Sequence, residues 1–150
     1  MHRAVPLALI LLLFAAASAR AAELVVVLHG LESGAGDVEV EVFGVQQRAT
    51  FPYSERGVTE DVRVPASALL APGKPASISL GELPPGTYAL VVIHDANRNG
   101  DLDRNFLGIP TEAWGFSNDA KGTLGPPSFD AAAVSVGSDQ PTRIEITLNH

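Results

Sequence analysis

Ten consecutive residues, His94-Asp95-Ala96-Asn97-Arg98-Asn99-Gly100-Asp101-Leu102-Asp103, carry the densest chemistry in the chain. With Asp95 at position 1 of a calcium loop, oxygen-bearing side chains fall at positions 1, 3, 5 and 9 (Asp95, Asn97, Asn99, Asp103). Gly100 then stands at position 6, where a sharp turn is needed, and Asp101 at position 7 offers its backbone carbonyl. The bidentate Glu of position 12 is missing because Phe106 is there, so a strict EF-hand is refused. The same Asn and Asp residues also suit Asx-turns that cap a strand end without any ion. Magnesium, which keeps more water and takes fewer protein ligands, is a third reading. If calcium binds, Glu112, Asp119 or Asp130 supplies the missing carboxylate from further along, and the sequence does not choose among them.

A second constellation is aromatic. Trp114 and Phe116 are two apart, so in extended backbone their rings share a face. Apolar faces of pyranose rings stack on such a platform, with His94 and Glu112 as neighbouring polar candidates. The plainer expectation is that these rings pack with Phe106 and Phe129 as a satellite cluster.

Catalytic patterns are absent. No Gly-x-Ser-x-Gly, Walker loop, dinucleotide fingerprint or His-Glu-x-x-His occurs. His29 and His94 lack a third ligand of clear spacing, so a transition metal is poorly supported. His94 is expected to orient the loop by hydrogen bonding, and His29 to sit near a strand end. Ser117, His94 and Asp95 do not make a triad, because adjacent strand residues point to opposite faces. The only lysines, Lys74 and Lys121, lie on no confident core strand, which disfavours an autocatalytic isopeptide. The chain is expected not to be an enzyme.

The elements that must hold these residues are strands. Period-two alternation at Val38–Val42 and Ile144–Leu148, and more briefly at Val62–Val64, Ser77–Leu80 and Val134–Val136, predicts strands with one wet face. Leu24–Leu28 and Tyr88–Ile93 are apolar throughout and read as central strands. Turn-formers separate them, and Pro85-Gly86 suits the centre of a type II turn. Only Pro65–Leu70 looks briefly helical. About seven short strands at this spacing predict an all-β, single antiparallel β-sandwich of immunoglobulin-like or transthyretin-like type. The 36 residues from Asp95 to Asp130 show no element periodicity, far beyond an ordinary connection. They hold four of the eight aromatics that follow residue 21, so the loop is expected to be ordered.

Residues Met1–Ala21 read as an export leader: a charged start, a 13-residue apolar run from Val5 to Ala17, and small residues before a cut ahead of Ala22. That run is shorter than the roughly 20 residues a membrane span needs. One domain over 22–150 follows, expected in the periplasm or outside the cell, with no integral membrane segment after leader removal. Cysteine is absent, which excludes disulfides, thiolate metal sites and Cys-linked lipid. The net charge is -7, and losing Arg3 and Arg20 leaves eight basic against 17 acidic residues, or -9. Such a surface repels phosphate backbones, so no nucleic acid partner is expected.

Four runs together carry a family resemblance: Leu83-Pro84-Pro85-Gly86-Thr87-Tyr88-Ala89; His94-Asp95-x-Asn97-x-Asn99-Gly100-x-Leu102-Asp103; Gly108-Ile109-Pro110-x-Glu112-x-x-Gly115-Phe116-Ser117-Asn118; and Gly125-Pro126-Pro127-Ser128-Phe129-x-x-Ala132. The chain resembles the bacterial domain-of-unknown-function family 2141 across essentially all of 22–150, most densely over 83–134. The resemblance implies secretion and a β-sandwich of this size and brings no established activity. Trp114 departs from the smaller aromatic, such as Tyr, expected there, so no stacking role is carried over. The expectation is a non-catalytic binding or structural module of the cell envelope with a calcium-ordered loop, its partner an unknown envelope component or glycan. The alternative is a carbohydrate- or small-ligand-binding domain using the aromatic loop.

Overall fold

The computed structural model describes residues 20–150. The leader expected over 1–21 lies, apart from its last two residues, outside the described residues. All seven expected strands form: β1 (Ala22–His29), β2 (Asp37–Gly44), β3 (Glu60–Pro65), β4 (Ala76–Leu83), β5 (Gly86–Asp95), β7 (Val134–Val136) and β8 (Thr142–Thr147). An eighth, β6 (Trp114–Phe116), lies inside the segment expected to be pure loop. Helix is confined to single turns, chiefly α1 (Ala66–Leu69), where one was expected, and α2 (Phe129–Ala132). Ser128 starts α2 by accepting a hydrogen bond from Ala131 N at 3.2 Å.

The strands form two sheets, one ordered β4-β1-β8 and the other β3-β2-β5-β6, with β7 also on β5 beside its first residues. Alternation supplies one face of each strand to a shared apolar cluster. Leu24, Val26 and Leu28 of β1, Ile78 and Leu80 of β4 and Ile146 of β8 come from the first sheet. Val38, Val40 and Val42 of β2 and Leu90 and Val92 of β5 come from the second. Each such fully buried aliphatic contributes about 1.5–3 kcal/mol of burial free energy, so this cluster is what holds the layers together.

Three expectations are corrected. The pairing is not antiparallel throughout, because β1 and β8 run parallel from Leu24↔Thr142 to His29↔Thr147. A parallel pair needs a long crossover, and here the rest of the domain lies between the two strands. Gly86 does not take a positive φ in a type II turn; it is already the first residue of β5. The second face of β2 is not wet either: Glu39 and Glu41 are each 7 % exposed and Phe43 is fully buried. Long connections fold over that face. No helix among the described residues is long and apolar enough to cross a membrane.

Candidate functional site

The face of the second sheet turned away from the shared cluster is the chemically distinctive surface. Register across β3, β2, β5 and β6 sets Asp61, Glu41, Val91 and Phe116 in one transverse row. Arg63, Glu39, Ile93 and Trp114 form the next row. A second apolar cluster grows at one end, where Phe43, Phe51, Phe116 and Phe129 are buried together. Phe51 stacks edge-on against the other three at centroid distances of 5.1, 5.8 and 5.9 Å.

Beside that cluster lies a groove of about 450 Å³. Its floor is Glu41, Val91, Ile93, Trp114 and Phe116 from the two transverse rows. One wall is Pro52–Glu55 from the β2–β3 connection, and the other is Leu102, Arg104 and Pro110 from the long loop. Gly122, Gly125 and Pro126 close one end. Trp114 is half-buried, its ring edge-on to Phe116 at 5.4 Å, and Tyr53 is 49 % exposed.

Glu41 is the odd residue in this apolar floor. Burial pushes its carboxyl above the ordinary value of 4.5, a contact with Ser54 opposes that, and the carboxylates of Glu39, Asp61 and Glu55 add to it. Arg63 does not compensate it, because its Nη2 lies 2.6 Å from Glu39 Oε2. Among the described residues Glu41 makes no ion pair.

The loop wall is built from Asp95 at the end of β5, 1 % exposed. Its Oδ1 accepts from Asn99 N at 3.1 Å and its Oδ2 from Gly100 N at 2.8 Å, with Gly100 at φ +83°. Asn97 Oδ1 accepts from Asn99 N, and Asn99 Oδ1 from Asp101 N, both at 2.9 Å. These are the Asx-turns weighed beside the ion. The side-chain amides of Asn97 and Asn99 converge on Asp103, donating to its two oxygens at 2.6 and 2.9 Å. Glu112 ties both ends of the turn, accepting from Ala96 N at 2.9 Å and Asp103 N at 3.1 Å. Asp119 instead accepts from Thr147, and Asp130 pairs with Arg48. Of the three later carboxylates, Glu112 alone reaches this turn. Among the described residues no three His, Asp or Glu side chains form a ready metal cluster.

Two close approaches fix the loop to the sheets. Arg98 sits at φ +62°, a strained value for a non-glycine. Its Nε meets Asp37 at 3.1 Å and its Nη2 donates to Gly36 O at 3.2 Å. A Cβ on Gly36, itself at φ +68°, would stand 2.0 Å from the Asp95 carbonyl oxygen. At the other end Trp114 exchanges backbone hydrogen bonds with Asn149 at 3.0 and 2.7 Å.

The expected site residues therefore divide. Trp114 and Phe116 line the groove floor, while Asp95, Asn97, Asn99 and Asp103 meet in one turn. His94 faces the other way: buried, its Nε2 lies 2.7 Å from Ala35 O, so it orients the Ser33–Gly36 turn and is not a groove contact. Ser117 Oγ bonds Leu90 N and Ala132 O, and nothing links it to His94. Phe106 does not join the aromatic cluster; it is 95 % exposed on the Asn105–Gly108 turn. His29 ends β1 with its Nε2 3.2 Å from Glu145.

Glu41, Tyr53 and Arg104 were not expected at a site. The signal for Glu41 was Phe43, an aromatic on the face that alternation otherwise marks as polar. A family model described as "Uncharacterized protein conserved in bacteria (DUF2141)" matches residues 26–145. Neither a curated protein nor a solved structure matches the chain.

Proposed function

The chain belongs to the DUF2141 family of uncharacterised bacterial proteins, and on that footing we propose that it is an exported, non-catalytic binding module of the cell envelope. Its ligand site is the groove over the second sheet, and its partner is a small molecule or the end of an envelope glycan. One observation carries this: the groove is mostly apolar, has aromatic rings at its floor and rim, and is lined by a few polar groups. Concave sites of about this volume and composition are the usual form of small-ligand binding. A purely structural module would have no use for a largely buried carboxyl that lacks an ion-pair partner in an open groove. The two sheets around one apolar cluster favour an immunoglobulin-like or transthyretin-like sandwich as the finer architecture.

Calcium ordering of the loop belongs to the same proposal. Leu102 and Arg104 are wall residues, so whatever fixes the Asp95–Asp103 turn also fixes the groove. Asp103, with Glu112 adjacent, is the carboxylate such an ion would take up, replacing the amide hydrogen bonds that Asn97 and Asn99 donate to it.

Trp114 is the chain's only tryptophan and lies in the groove, so its emission reports occupancy. A screen of glycans and small metabolites, with and without calcium, tests the reading. A ligand that shifts Trp114 emission should bind at least about tenfold more weakly to Tyr53→Ala, a rim substitution expected to cost within about 0.5 kcal/mol of stability. Ligands whose affinity is unaffected by Tyr53→Ala, and by Trp114→Ala when followed by titration calorimetry, would place the site elsewhere.

A further inference from the structure

The groove's electrostatics narrow the ligand class, an inference that rests on the groove being the ligand site. Glu41 is nine-tenths buried on the groove floor, and the basic residue nearest in register, Arg63, is engaged by Glu39. Of the charged side chains lining the groove, Glu41 and Glu55 are acidic and Arg104 is basic; the Arg104 guanidinium is directed to Gly108 O at 3.1 Å. Asp61, beside Glu41 in register on β3, adds a further negative charge. The Glu41 carboxyl, held by Ser54, faces the groove without a counter-charge, and this fold supplies none within ion-pair distance. Two electron-rich rings, Trp114 on the floor and Tyr53 at the rim, belong to the same cavity. Carboxylate plus aromatic faces in a partly dry groove is the environment that favours a weakly hydrated organic cation over a neutral polyol. A sugar would satisfy the rings and leave the Glu41 charge uncompensated.

We propose that the groove recognises an organic cation, an alkylammonium or quaternary ammonium group seated against Glu41 with Trp114 and Tyr53 as its aromatic faces. The neutral, mainly apolar remainder of the ligand lies along Val91, Ile93 and Pro110. Binding is non-covalent and the cation leaves unchanged.

The test uses choline, its uncharged isostere 3,3-dimethylbutan-1-ol, and methyl glucoside as a neutral polyol. Each is titrated at neutral pH and constant chloride into wild type and Glu41→Gln, followed by Trp114 emission and by amide shifts of Val91 and Ile93. Choline is expected to bind at least about tenfold more tightly than its isostere. In Glu41→Gln, folded as judged by circular dichroism, the two should come within about twofold. If the isostere or the glucoside binds as well as choline, the groove remains a ligand site and the cation assignment falls. A choline preference that survives in Glu41→Gln removes Glu41 from the site and overturns the proposal. Silence with all three probes also overturns it, and the wider screen then decides separately whether the groove binds anything.

Discussion

Glu41 shows how a single side chain can look ordinary in sequence and be unusual in the fold. In Val38-Glu39-Val40-Glu41-Val42 it reads as the wet half of an alternating strand, yet Phe43 continues the same face into an aromatic cluster. Its carboxyl is raised above 4.5, chiefly by burial. Below that value both folded and unfolded chains carry a proton and Glu41 is neutral to stability. As pH rises through it the unfolded chain ionises first, so the folded state loses stability until its own carboxyl ionises. Glu41→Gln should therefore melt above wild type at pH 7, and the gap should shrink as pH falls below 4.5. Calorimetry of both proteins at pH 3.5 and pH 7 checks this; a constant gap would mean Glu41 is not desolvated. The meeting of Asp95, Asn97, Asn99 and Asp103 in one turn was legible from their spacing, whereas His94, expected to orient that loop, instead bonds Ala35 O of the Ser33–Gly36 turn. The position of Phe106 was not, since nothing local separates an aromatic at a loop tip from one folded under it.

At the scale of elements, the longer runs were legible because alternation or unbroken apolar character repeats in them, and the short Val62–Val64 and Val134–Val136 because β-branched valines flank one polar residue. The three-residue β6 was not, because its identity as a strand comes from partners on either side, Val91–Ile93 of β5 and Asn149. Gly115 is what lets β6 lie there: a Cβ would stand 2.7 Å from Thr147 O and 2.8 Å from the Ile146 side chain. Gly115→Ala is expected to cost about 1–3 kcal/mol, as overpacking does. A urea midpoint equal to wild type would show that β6 is not held against β8. The loop preceding β6 makes a second prediction at this scale. Without a position-12 Glu, calcium affinity should be on the order of 1 mM at the weak end, so 10 mM calcium adds RT ln 11, about 1.4 kcal/mol. For a domain of this size that is a rise in Tm of roughly 3 to 6 °C. Wild type should show the rise in calcium and not in equal magnesium, and Asp103→Asn should lose it. Equal Tm values in chelator, calcium and magnesium would leave the Asx-turns as the whole account of the loop.

For the whole molecule, the second sheet separates two environments: a dry layer shared with the first sheet, and an outer face enclosed by three long connections, 45–59, 96–113 and 117–133. The dry layer was readable because hydrophobic alternation encodes it directly. The groove was not, because it exists only where Pro52–Glu55 and the residues Leu102, Arg104 and Pro110, far apart in sequence, come together over β2 and β5. The net negative charge suits the approach of a cationic ligand. That the groove is the binding site is the central claim, and it can be tested before any ligand is named. The measurement is the amide NMR spectrum of the isotopically labelled protein, titrated with the low-molecular-weight fraction of a bacterial envelope extract in calcium. Shifts confined to Glu41, Tyr53, Val91, Ile93, Leu102 and Trp114 are predicted; shifts clustering on the first sheet, or none at any concentration, would contradict it.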